Sequence, residues 1–478
     1  MTTRLTTLPA MVAWAAISAT GCAGSSSTPA VGAGGATADL LVLGGTFVTM
    51  DPARTVIADG GIAVADGAIA AIGTAAEIDA AWVADEVIAA AEHDMVIPGL
   101  VNGHGHAAMV LLRGIADDLA LMDWLQNYIF PAEAATVTAE SVRVGTQLAA
   151  LEMIRTGTTT FVDMYYFEDE VAKVVDESGM RAIVGETVLE FPVPDAASAD
   201  EALAYTRQMI NRWKGHPRVI ATAAPHAPYT LQPETLQRTV ALTRELGVPV
   251  LIHLAETNDE VRQIRERYDR TPTEHLEAIG FLGPDVIAAH AVWLEDADIE
   301  ILARNNVGVI HNPESNMKLA SGTMRVEDLR LAGVAIGIGT DGAASNNDLD
   351  MFGATLLASL LQKHMRTDPT ALPAAEALAM ATIAGARALG LEAQIGSLEV
   401  GKRADLTIVS GNVLNLVPRY DPYSHLVYAA RGDNVRVTVV DGQVLYKDGS
   451  FLTLDRDAIL AEAWKMRDQI EAAVADTR

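Results

Sequence analysis

Two histidines stand either side of one glycine at the end of an apolar run, "MVIPGLVNGHGH", as His104 and His106. In an extended strand residues i and i+2 project to one face, so the two imidazoles point together and Gly105 keeps the backbone between them slim. Alone, such a pair is weak evidence for a metal. Other runs end in the same way, at His226, His253, His290 and His311, and "VAIGIGTDG" ends with Asp341. Six of the chain's 11 histidines therefore fall at or just past the end of a predicted strand. Histidine and aspartate donors suit zinc or another divalent first-row metal. A catalytic zinc keeps one position open for water and lowers its pKa to ~7. "HLAET" adds Glu256, three residues after His253 and just beyond its strand. A carboxyl group there suits proton transfer to a ring nitrogen and a leaving amine. The plainer alternative is an exposed loop glutamate.

The segments that must position these groups alternate apolar strands with helical stretches, the pattern of an α/β fold. Eight strands are expected, at 96–101, 158–164, 181–187, 219–225, 249–256, 286–292, 307–313 and 334–342. Eight strand–helix repeats are the count of a (β/α)8 TIM barrel, whose C-terminal face carries active sites. On both flanks the style changes to short β runs with Gly and Asp-Gly turns, such as "GGIAVADGAIAAIG" and "VRVTVVDGQVLYKDGS". One small β-sandwich domain built from both chain ends follows. The expected divisions are 38–95 for its first part, 96–391 for the barrel, 392–450 for its second part and 451–478 for a closing helix.

The start of the chain is not fold. Arg4, a short apolar stretch and "ATGC" precede a Gly/Ser/Ala-rich segment. This is the pattern of a lipoprotein signal over 1–22, with Cys22 as the lipidated residue, and a flexible linker over 23–37. An ordinary cleaved signal or a chance apolar leader are the alternatives. A cell-envelope location facing the periplasm or the surface is expected, and a cytoplasmic one if the signal does not function. Cys22 is the lone cysteine, which excludes an intramolecular disulfide and a thiolate zinc cluster. With 34 basic against 62 acidic residues the net charge is −28, and nucleic acid is an unexpected partner.

Taken together, "PGLVNGHGH", "FVDM", "PHAPYT", "HLAET", "AAH", "HNPESNMKLASG" and "GTDGAASNNDLDMF" resemble the amidohydrolase superfamily over roughly residues 39–450. Within it they look like the 5′-methylthioadenosine/S-adenosylhomocysteine deaminase group, close to the triazine hydrolases. The resemblance implies one divalent metal, zinc in the first place, on His104, His106, His253 and Asp341. It implies hydrolytic deamination of an adenine nucleoside. Asp341 would take a proton from the attacking water, His290 would hydrogen-bond that nucleophile, and Glu256 would protonate the ring and then the departing ammonia. His226 and Glu133 would hold substrate, Glu133 through the ribose hydroxyls, and Trp124 would be a pocket aromatic. Trp124 as core and Glu133 as a helix-start residue are the simpler alternatives. By the same analogy the chain would form a homodimer. Members that bind the homocysteine carboxylate place an arginine after strand 3, where Glu186 stands here. A carboxylate tail would then meet a like charge, unless Glu186 faces solvent. The alternatives for function are an aminohydrolase or chlorohydrolase of another heterocycle (triazine, guanine or pterin), or a non-catalytic envelope binding lipoprotein.

Overall fold

A computed structural model describes residues 35–474; the expected leader and its Cys22 lie outside the described residues. From Ala36 onward the chain is one compact unit. Eight parallel strands close into a barrel: β1 (Leu100–Gly105), β2 (Thr158–Tyr165), β3 (Arg181–Val188), β4 (Val219–Pro225), β5 (Val250–Leu254), β6 (Val286–His290), β7 (Gly308–His311) and β8 (Ala335–Ile338). Their order round the barrel follows the chain, and β8 closes on β1 through Ile338 and Asn102. Val101, Val162, Ile183, Ala224, Leu251, Ile287 and Ile310, one from each of seven strands, pack in a single buried cluster. The barrel is therefore a filled core that ends in a reactive face.

The intervening helices carry their own start and stop signals. Thr138, Ser198 and Thr257 cap the helices Ala139–Arg155, Ala199–Trp213 and Asn258–Tyr268 with side-chain oxygens. Gly179 and Gly247 end Glu168–Ser178 and Pro233–Leu246 in the left-handed conformation. The closing helix expected at the C-terminus runs over Arg456–Val474.

Two sheets flank the barrel. The larger has seven strands, in which Met95–Pro98 lies antiparallel to Leu406–Val409 and so joins the two ends of the chain. The smaller has four, with Ala36–Leu43 parallel to Trp82–Ala89. Phe47, Ile62, Val64, Ile69, Val96, Leu406, Ile408 and Val437 from both sheets share one buried core, which makes the pair a sandwich. Two boundaries differ from the sequence reading. The strand expected at 96–101 is divided: residues up to Pro98 pair in the sandwich, and the barrel strand starts at Leu100. Gly99 makes the step between them, where a Cβ would sit 2.1 Å from Thr159 Oγ1. The first sandwich strand also begins at Ala36, inside the stretch expected to be linker, because Ala36 and Thr37 pair with Trp82 and Val83.

Barrel and sandwich are also joined by charge. Arg181, at the start of β3, donates from Nε to Asp405 Oδ2 at 2.9 Å and also reaches Asp441. Arg181 and Asp405 are 5% and 2% exposed at their side chains. Removing one partner of a buried pair leaves the other charge stranded, so Arg181→Ala is expected to lose about 3–5 kcal/mol of stability. Urea unfolding measures this, and a change under about 1 kcal/mol would place the pair among ordinary surface bridges.

Candidate active site

The strand ends bring five donors together. His104 Nε2 lies 3.5 Å and His106 Nε2 3.2 Å from Asp341 Oδ1, while His290 Nε2 is 3.9 Å from Asp341 Oδ2. The ring centroids of His104 and His253 are 4.9 Å apart. Two sets have ligand atoms all within 4.8 Å of one another: His104, His106 and Asp341, and His104, His253 and His290. His290 and Asp341 hold φ at 74° and 65°. Neither is a glycine, and such conformations cost about 1–3 kcal/mol each, which surrounding structure must offset.

Backbone and side-chain acceptors set the direction of the rings. His106 Nδ1 lies 2.6 Å from Met164 O, His253 Nδ1 2.8 Å from His226 O, and His290 Nδ1 2.9 Å from Asn316 Oδ1. Each acceptor can take only an N–H, so Nδ1 carries a proton and Nε2 is the ring atom turned to the cluster. Burial lowers His104 to about 4 and drives His253 well below the usual imidazole range. Burial opposes protonation of His106 too, but the hydrogen bond to Asp341 and its charge outweigh it and raise that ring to about 9. Burial likewise opposes ionisation of Asp341, yet His104 and His106 hold it well below the usual carboxylate range. His104 Nε2 is buried without a hydrogen bond. His104 and His253 are neutral imidazoles beside an ionised carboxylate, and the proton that His106 holds against Asp341 is one a divalent cation would displace, so the donor set fits zinc.

His106, His253, His290 and Asp341 of this cluster line a cleft. His226, Glu256, Glu133 and Trp124 all line it, so the groups expected from strand ends and from the helical segment meet in one place, and Ser345 lines it as well. Glu256 follows β5 at a turn gripped by Glu260, which accepts from the backbone N–H of Ala255 at 2.8 Å and of Glu256 at 3.0 Å. Glu256 is buried, not an exposed loop residue, and burial raises its carboxyl above the ordinary value. Trp124 donates its indole N–H to Ala116 O at 3.1 Å and presents its ring to the cleft. Glu133 sits in the first turn of the helix Phe130–Thr136 and accepts from Tyr165 Oη at 2.7 Å. Burial pushes Glu133 up to about 7 against the hydrogen bonds of Tyr165 and Tyr166.

Glu186 lies elsewhere than the sequence reading placed it, while His311 ends β7 as expected. Glu186 is absent from the cleft wall. Strand alternation gives the cleft to its neighbour Thr187 and turns Glu186 outward, where it is fully buried and accepts from Glu168 N at 3.1 Å. It neither repels a substrate tail nor faces solvent. His311 is fully buried, with both ring nitrogens unpartnered, and does not line the cleft. Tyr165, Tyr229, Thr187 and Asn316 were not singled out in the sequence. The strand-end rule that found the histidines applies equally to Tyr165 and Thr187; Asn316 carries no such signal.

The sequence profile of the Amidohydrolase family matches residues 95–445, the whole barrel and most of the second sandwich segment. The chain belongs to the amidohydrolase family. Among its relatives, a 5-methylthioadenosine/S-adenosylhomocysteine deaminase of Syntrophobacter fumaroxidans is 47% identical over 89% of this chain and 97% of that protein. A 5′-deoxyadenosine deaminase of Methanosarcina mazei is 44% identical over 91% of this chain and 99% of that protein. A solved adenosine deaminase of Xanthomonas campestris with bound zinc superposes with a TM-score of 0.90, at 39% identity, over 92% of this chain and all of that one.

Proposed function

We propose that this protein is a zinc-dependent hydrolase that deaminates an adenine nucleoside and releases ammonia. The observation that carries the reading is the buried Glu256 in the same cleft as the histidine–aspartate cluster. His104, His106, His253 and Asp341 would hold the metal, with His290 beside them. Bound there, the metal supplies a Lewis acid that makes hydroxide available at neutral pH. Asp341 accepts the proton that the attacking water loses. His290, whose Nδ1 is committed to Asn316, turns Nε2 toward Asp341 and orients that water. Glu256, whose burial shifts its carboxyl toward the neutral form, gives its proton to the ring nitrogen beside the amine-bearing carbon. The proton that Asp341 holds then goes to the amine, which leaves as ammonia, and the proton still on the attacking oxygen is lost as the ring carbonyl forms and returns to Glu256. His226, driven down to about 3 by burial, is a neutral ring that hydrogen-bonds the base. Glu133 accepts from the ribose hydroxyls.

The test is ammonia release by zinc-loaded protein from adenosine, 5′-deoxyadenosine, methylthioadenosine, guanine and a triazine. Release from the adenosines is expected. Release from guanine or the triazine alone would move the substrate to another heterocycle. Because Glu133 titrates near 7 in its buried site, KM for adenosine is expected to fall as pH rises from 6 to 8. That dependence should vanish in Glu133→Gln. A profile that survives the substitution would remove Glu133 from ribose binding.

The N-terminal segment "ATGC" supports a second proposal, that Cys22 anchors the protein in the cell envelope. Mass spectrometry of the mature N-terminus decides it: a diacylglyceryl-cysteine start is expected, and an unmodified Met1 would exclude it.

A further inference from the structure

One wall of the cleft is a single stripe. Leu121, Trp124, Leu125, Ile129 and Phe130 line it from one continuous helical segment, with Trp124 and Leu125 three and four residues after Leu121 and Ile129 four after Leu125, and Leu319 joins them from elsewhere. The stripe ends at Glu133, held by Tyr165 at the tip of β2. Glu133, Glu256 and Asp341 are the carboxylates of the lining, and no lysine or arginine lines the cleft among the described residues. Lys318, the neighbour of Leu319, is tied to Asp117, Asn347 and Ala344 O.

We infer that the enzyme selects adenosines whose 5′ substituent is neutral and apolar, against those with a charged amino-acid tail. The inference rests on the deaminase reading. With the base over the metal cluster and the ribose hydroxyls on Glu133, the 5′ carbon leaves the same sugar ring alongside the apolar stripe. A hydrogen, methylthio or longer alkylthio group exchanges water for Leu121, Leu125 and Phe130. A homocysteine tail must bring both a carboxylate and an ammonium against an apolar wall that offers the carboxylate no cation, while Glu133, Glu256 and Asp341 are committed to the ribose and the reacting ring and not to the ammonium. An ion desolvated without a partner is strongly disfavoured. The discrimination therefore comes from the apolar stripe and not from Glu186, which faces away from the cleft.

The test compares kcat/KM of zinc-loaded protein for methylthioadenosine, 5′-n-butylthioadenosine and S-adenosylhomocysteine. The butylthio compound matches the length of the homocysteine tail without its charges. Both neutral thioethers are expected to exceed S-adenosylhomocysteine by at least about tenfold. Calorimetric binding to Glu256→Gln should give the same order. Equal or better use of S-adenosylhomocysteine would overturn the inference and leave the deaminase reading standing. A butylthio compound as poor as S-adenosylhomocysteine would also overturn it, since length and not charge would then decide. Ammonia from none of the three while adenosine is turned over would overturn this inference alone, and ammonia from neither these nor adenosine would defeat the deaminase reading with it.

Discussion

Replacing Glu256 by Gln is expected to cut kcat by about 10²–10⁴-fold while zinc stays bound. The substitution keeps volume and hydrogen-bonding ability, so the turn gripped by Glu260 should persist. What it removes is a proton that can be given and recovered. Glu256 is suited to that task because burial favours its neutral form, which is the form that donates. Its loss should appear in kcat more than in KM, because the proton moves in the transition state and not on binding. Metal analysis of the purified variant separates this from a collapsed site. Unchanged turnover would take Glu256 out of the mechanism, and loss of zinc would recast it as a support of the metal cluster.

How far the sequence discloses this site depends on which kind of information each residue needs. His104, His106, His253 and Asp341 are legible because strand ends are visible in the hydrophobic pattern, and the end of a barrel strand is already an address. The eight strands are legible for the same reason. Glu186 shows where that reasoning stops. Which side of a strand a residue faces depends on register, and a shift of one position exchanges the faces. Glu186 and Thr187 are adjacent in β3, yet the cleft belongs to Thr187. Asn316 is hidden for another reason: its role exists only through His290, 26 residues away in the chain. The strand expected at 96–101 spans two sheets because the hydrophobic run continues through Gly99, and only pairing partners separate Pro98 from Leu100.

Removing His104 and His106 together, by substitution to alanine, is expected to abolish both turnover and the stabilising effect of zinc. In the intact protein, free zinc at a hundred times its Kd should add about 2.7 kcal/mol of stability, read as a rise in Tm. The double variant deletes two of the donors that converge on Asp341, leaving His253 and His290 with one carboxylate. The apo proteins need not differ in the same direction. His104 and Asp341 are both buried, and an imidazole that is hard to protonate beside an ionised carboxylate is costly without a cation. Chelation should accordingly destabilise the wild type and leave the double variant unmoved. Zinc should restore turnover only in the wild type. A double variant whose Tm still rises with zinc by the wild-type amount would show that His253 and His290 hold the cation without the β1 pair. The two histidines that flank Gly105 would then be neighbours of the metal instead of its ligands.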